Sequence, residues 1–124
     1  MAQVTGIGGV FFKAKGDPKI LTAWYQEHLG IKMNPWGGAV FHWAEDKGVN
    51  EAATAWSIDD RNSKRYSDCE ASFIINYRVD DLLGMIAHLK KSGVKILKDV
   101  EASEYGKFAS IADPEGNRIE LWQQ

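Results

Sequence analysis

The chain has 124 residues, 44% of them hydrophobic and 26% charged, which fits one ordinary folded domain and argues against long disorder. A formal net charge of −2 with no basic patch excludes the electrostatic footprint of a nucleic-acid-binding protein. Cys69 is the single cysteine, so no internal disulfide can form, and a reducing compartment is expected.

Residues 1–6 lack a basic start and a long apolar run. A cytoplasmic protein without membrane contact is the expectation from that segment. An apolar strand is expected at residues 7–14. A helix follows over 17–30. Asp17 suits the N-cap because its carboxylate can accept first-turn N–H groups, and Pro18 suits the first helical position. Leu21, Trp24, Tyr25 and His28 share one face at helical spacing, and Gly30 suits a left-handed stop. His28 sits where a helix dipole favours a cation. Strands are expected at 31–33, at 39–44 and at about 52–58, with Trp43 and Trp56 read as core. The polar run 59–70 is long for a connection and reads as a linker or a loop over the site.

The pattern then repeats. A strand is expected at 72–79. A second helix spans 80–93, offset by 63 residues from the first (Asp17 to Asp80). Leu82, Met85, Ile86 and Leu89 make its apolar face. Gly84 costs it roughly 1 kcal/mol against Ala, and His88 falls on its solvated side. Strands are expected at 94–97, 107–112 and 117–122. Asp113-Pro114-Glu115-Gly116 joins the last two as a type I turn.

The order is therefore βαβββ–βαβββ in a single α+β domain. Module one covers about 4–58, the linker 59–70 and module two about 71–124. Two such units would form a curved mixed sheet with helices on its outer face and an inner face open to a ligand.

Strand parity assigns side chains to those faces. Ile119 and Leu121 alternate with Arg118, Glu120 and Trp122, so the apolar pair should meet the helices and Glu120 should point inward. In the strand before the second helix, Phe73, Ile75, Tyr77 and Val79 are the helix-facing set. Ser72, Ile74, Asn76 and Arg78 then face inward.

Two segments carry a resemblance. One runs from Gly9 through Asp17-Pro18 to Trp24-Tyr25 and Leu29-Gly30-Ile31. The other is Gly106-Lys107-Phe108-Ala109-Ser110-Ile111-Ala112-Asp113-Pro114-Glu115-Gly116-Asn117-Arg118-Ile119-Glu120-Leu121. On these the sequence resembles the vicinal oxygen chelate superfamily, which includes glyoxalase, bleomycin-resistance and extradiol-dioxygenase proteins. The resemblance implies paired βαβββ modules and often a homodimer. In metal-dependent members it implies one divalent ion on the inner face.

The family's ligand positions fall on Ile74 and Glu120, and the 63-residue offset carries them to Phe11 and Ser57. Only Glu120 could bind a metal, whereas three or four converging ligands are the usual requirement. The expectation is a protein with no metal cofactor. It would bind a small oxygenated molecule, with or without converting it. Glu120 is the candidate catalytic acid or base. The candidate ligand-binding residues are Phe11, Lys13, His42, Ser57, Ile74, Asn76, Arg78, Tyr105 and Trp122. Phe11, Ile74 and Trp122 would supply apolar walls. Asn76 and Arg78 would orient a carbonyl or carboxylate, and Tyr105 with Lys107 would lie at the rim. Lys13, Lys15 or Arg78 could instead pair with Glu120. The alternative is a metal-dependent lyase or isomerase of the glyoxalase I type, or a dioxygenase, with relocated ligands such as His42, Glu51 and Glu104. Cys69 has no adjacent His and no visible activation as a nucleophile.

Overall fold

The computed structural model describes residues 10, 12, 14–35, 37–43, 54–55, 62–67 and 69–124. Its elements in chain order are helix α1 (Pro18–Leu29), a short 3₁₀ turn (Lys64–Tyr66), strand β1 (Ile75–Arg78), helix α2 (Leu82–Lys91), and strands β2 (Ile96–Ser103), β3 (Gly106–Ala112) and β4 (Arg118–Gln123).

Both helices are set by their caps. The Asp17 carboxylate accepts from Lys19 N at 2.9 Å, and Gly30 ends α1 with φ 67°. In α2 the cap is Asp81, one residue later than the sequence suggests. Its carboxylate accepts from Gly84 N at 3.1 Å. Leu82 N donates to Gln123 Oε1 at the end of β4, at 2.8 Å, so an acceptor from the sheet fixes the helix start. Gly84 gains a reason it lacks in the sequence: a Cβ there would run into the Asp81 carboxylate.

The four strands form one mixed sheet in the order β1-β4-β3-β2. β1 lies parallel to β4, and the other two pairings are antiparallel. Strand β2 is longer than expected, reaching Ser103. Two register shifts against β3 break its alternation, and its edge position leaves Lys98, Asp99 and Glu101 exposed, as edge strands favour. The β2–β3 hairpin closes at Ser103 opposite Gly106. Gly106 has φ 119°, and a Cβ there would collide with the Gln123 carbonyl.

One face of the sheet carries the core. Ala109, Ile111, Ile119 and Leu121 pack against Leu82, Ile86 and Leu89 of α2 and Leu21 and Tyr25 of α1. Leu82, Leu89, Ile111, Ile119 and Leu121 are fully buried, each stabilising the fold by about 1.5–3 kcal/mol. Parity in β4 is as the sequence indicates: Ile119 and Leu121 meet the helices.

The turn between β3 and β4 anchors the first half of the chain. Asp113 is buried. Its carboxylate accepts from Tyr25 Oη (2.9 Å), Glu115 N (2.9 Å), Asn117 N (2.9 Å) and Asn117 Nδ2 (2.7 Å). The Glu115 carboxylate accepts from Lys15 N and Gly16 N, both at 2.8 Å. The turn that carries the resemblance is thus a socket for the start of α1. Burial, then the Tyr77 and Asp113 neighbours, raises the Tyr25 hydroxyl pKa strongly. Burial and the Asp113 charge push Tyr77 up to about 12.

Three expectations for the first half change. Residues 31–33 and 39–43 are not in strands. Between them the chain reverses, with Gly37 N donating to Asn34 O and Asn34 N to Gly38 O, both at 2.9 Å. Trp43 is not core: it is 87% exposed. Most of the strands expected at 7–14 and 52–58 lie outside the described residues, as does Trp56.

Candidate functional site

The sheet face turned away from the helices gathers the inward-parity side chains into two rows. One row runs Asn76–Glu120–Ser110 across β1, β4 and β3, and the next runs Arg78–Trp122–Phe108. Side chains directly opposite on neighbouring strands lie close enough to interact, and both rows do so. Asn76 Nδ2 donates to Glu120 Oε1 at 2.8 Å. The Phe108 and Trp122 rings stack with centroids 5.8 Å apart and planes 10° apart, a geometry that adds to simple burial. Trp122 Nε1 donates to Tyr105 O at 2.8 Å, which fixes the indole.

Glu120 has a second partner that the sequence did not suggest. Arg65, in the linker, places Nε 3.3 Å from Oε2. The expected partners were Lys13, Lys15 or Arg78. Arg65 reaches the site because the linker passes over this face, where Arg118 Nη1 also donates to Ser67 O at 3.1 Å. Glu120 is the more covered member of the pair, with 13% of its side chain exposed against 40% for Arg65. Arg118 Nε is buried without an acceptor among the described residues.

Glu120, Asn76, Arg78 and Trp122 therefore come together on one face. Ile74 is half-buried just ahead of β1. Tyr105 forms the β2–β3 turn; its ring is 70% exposed while its carbonyl holds Trp122. His42 is exposed on segment 39–43, outside the four-stranded sheet. Phe11, Lys13 and Ser57 lie outside the described residues. Sequence reasoning missed Arg65, Phe108 and Ser110. The parity that found Glu120 would have found the last two if carried into β3.

The described donors on this face do not fit a divalent ion. Among the described residues no three His, Cys, Asp or Glu side chains converge. The Glu120 carboxylate is engaged by a guanidinium and an amide. His42 and Glu104, from the alternative set, are both exposed, and Glu51 is outside the described residues.

A separate cleft of about 310 Å³ lies where α1 and the loop after α2 meet the β3–β4 turn, lined by Trp24, His28, Val94, Lys95 and Pro114 among others. His28 Nδ1 is buried there without a partner, beside the Trp24 ring at 5.3 Å. The cleft shares no lining residue with the Glu120 and Trp122 rows.

A β1-α2-β2-β3-β4 unit with β1 parallel to β4, and helices on one face only, defines a glyoxalase-type module. The Glyoxalase/Bleomycin resistance protein/Dioxygenase superfamily profile matches residues 13–121, and the chain belongs to that family. Among solved structures it is similar over its whole length to TnmS3, an antibiotic binding protein from Streptomyces sp. CB03234. The identity is 18%, with 97% of this chain and 98% of that one covered and a TM-score of 0.57. It is also similar to TioX from Micromonospora sp. ML1, at 10% identity with 87% and 88% covered and a TM-score of 0.51. These likenesses concern the fold. Other matches are partial. Against a glyoxalase/bleomycin resistance protein from Streptomyces sp. CB03234, at 32% identity and a TM-score of 0.38, the match covers 42% of this chain and 46% of that chain. In the matches to an NAD-dependent benzaldehyde dehydrogenase from Legionella pneumophila and to a conserved domain protein, the chain likewise spans less than half of those chains. No curated protein matches the chain significantly. No helix among the described residues is long and apolar enough to cross a membrane.

Proposed function

We propose that this protein binds a small molecule on the sheet face opposite the helices, without a resident metal. The observation that carries the reading is the pairing of a polar row, Asn76–Glu120–Ser110, with a stacked aromatic row, Phe108–Trp122, on that one face. A few placed polar groups beside aromatic surface are the usual make-up of a ligand site. An antibiotic binding protein with the same fold gives the reading a precedent. In this reading Lys13, Phe11 and Ser57 are ligand contacts from the first module, about 4–58, and two copies of the chain pair as a cytoplasmic homodimer. Where chemistry follows binding, Glu120 acts as the base, since it is an acceptor already oriented by Asn76.

Titration of the purified protein with a panel of aromatic, oxygen-rich metabolites and antibiotics, read by tryptophan emission, tests the reading. A saturable response that Trp122→Ala removes is expected. A response that Trp122→Ala leaves intact, or none across the panel, would refute it.

A further inference from the structure

The carboxylate at the centre of the face is covered by a compact piece of its own chain. In residues 62–67, Ser63 Oγ accepts from Arg65 N at 3.3 Å. Tyr66 N donates to Ser63 O at 3.1 Å. Ser67 donates to Lys64 O through both its N (3.1 Å) and its Oγ (2.8 Å). These bonds lie within the segment and hold its turns, and Tyr66 O also accepts from Cys69 N at 3.0 Å. Charge-assisted contacts to the sheet include Arg65 Nε to Glu120 and Arg118 Nη1 to Ser67 O.

We propose that Arg65 is a placeholder on Glu120, and that the ligand displacing it is a planar aromatic cation such as an amidine, guanidine or amine on a flat ring. This rests on the reading of the face as the ligand site. The reasoning follows from what displacement costs. A ligand without N–H donors would leave a mostly covered carboxylate with an acceptor unsatisfied. An anionic ligand would add a like charge beside it. A cation restores the N–H···O⁻ pairing that Arg65 gives up. The aromatic part has a floor ready. Trp122 is two residues along the same strand face, about 6.7 Å away at strand rise, and it is held flat against Phe108. Arg65 is the more exposed partner, so water receives its guanidinium on release.

Two measurements test this, and the first needs no ligand. Chymotrypsin cleavage after Tyr66 reports lifting of the segment. In Arg65→Glu, which faces Glu120 with a like charge, cleavage should be about fivefold faster than in the parent, and Arg65→Glu/Glu120→Arg should restore the parent rate. Cleavage within α2 should stay slow throughout, separating local lifting from unfolding. Equal rates in the parent and Arg65→Glu would overturn the placeholder. The second is calorimetric titration with naphthamidine, naphthamide and naphthoate, which share one ring. The amidine should bind about tenfold tighter than the amide, with the carboxylate weakest, and Arg65→Ala should tighten amidine binding about threefold. Preference for the amide or carboxylate overturns the inference and leaves the broader small-molecule reading standing. Weaker amidine binding in Arg65→Ala, or no amidine binding at all, also overturns it.

Discussion

Tyr25→Phe removes the hydroxyl that joins α1 to the β3–β4 turn and that also meets the Tyr77 hydroxyl. Tyr25 Oη donates to the buried Asp113 carboxylate at 2.9 Å. The replacement keeps the ring and its edge contacts with Phe12, Trp24 and Tyr77, so packing changes little. Asp113 retains three other donors and stays satisfied in part. A hydrogen bond to a charged group contributes about 1.5–3 kcal/mol, which sets the expected loss at about 2 kcal/mol. For a domain of this size that is a fall in Tm of roughly 6–10 °C. Urea unfolding followed by circular dichroism should show a lower midpoint at an unchanged m-value. In a cycle with Asp113→Asn, the two changes should couple by about 1 kcal/mol or more. A loss under about 0.5 kcal/mol, or strict additivity with Asp113→Asn, would refute the view that this contact docks the first half of the chain.

The buried tyrosines predict an alkaline limit. An unfolded tyrosine ionises near pH 10, whereas Tyr77 is pushed up to about 12 and Tyr25 is raised as well. The folded state therefore holds these protons more tightly. Stability should be full below about pH 10 and fall above it by roughly 1.4 kcal/mol per pH unit for each tyrosine, through about pH 12 for Tyr77. Urea midpoints that stay flat across that window would contradict this. Gly84→Ala should not stabilise α2: the helix-propensity gain of about 1 kcal/mol is offset by displacement of the Asp81 cap, worth about as much. In an Asp81→Ala background the same change should become stabilising, and a gain in the parent would count against the cap. Gly106→Ala combines a left-handed φ with a collision at the Gln123 carbonyl, so a loss of at least about 2 kcal/mol is expected in thermal unfolding.

Helix α1 and the second half of the chain were readable because their signals are local. Asp17, Pro18 and Gly30 mark α1 through short-range cap chemistry, and alternation in β4 separates Ile119 and Leu121 from Glu120. Legibility failed where a distant group decides. The start of α2 depends on Gln123, from the end of β4. The tolerance for Gly84 depends on a carboxylate that propensity does not see. The length of β2 was hidden by two register shifts and by exposed charges on an edge. In the site, Asn76 and Trp122 followed from parity, but Arg65 did not, since no periodicity assigns a side chain in a polar linker to a face. Trp43 misled because a strand-like run of apolar residues carries no information about what covers it.

In the proposed function the ligand sits beside Trp122 rather than in the cleft beside Trp24 and His28. Indole N–H resonances, assigned by single Trp→Phe variants, separate the two sites during titration with a ligand found by tryptophan emission. The Trp122 signal, whose N–H is held by Tyr105 O at 2.8 Å, should shift in proportion to saturation while that of Trp24 stays in place. A shift at Trp24 and the His28 ring, with Trp122 unmoved, would contradict it.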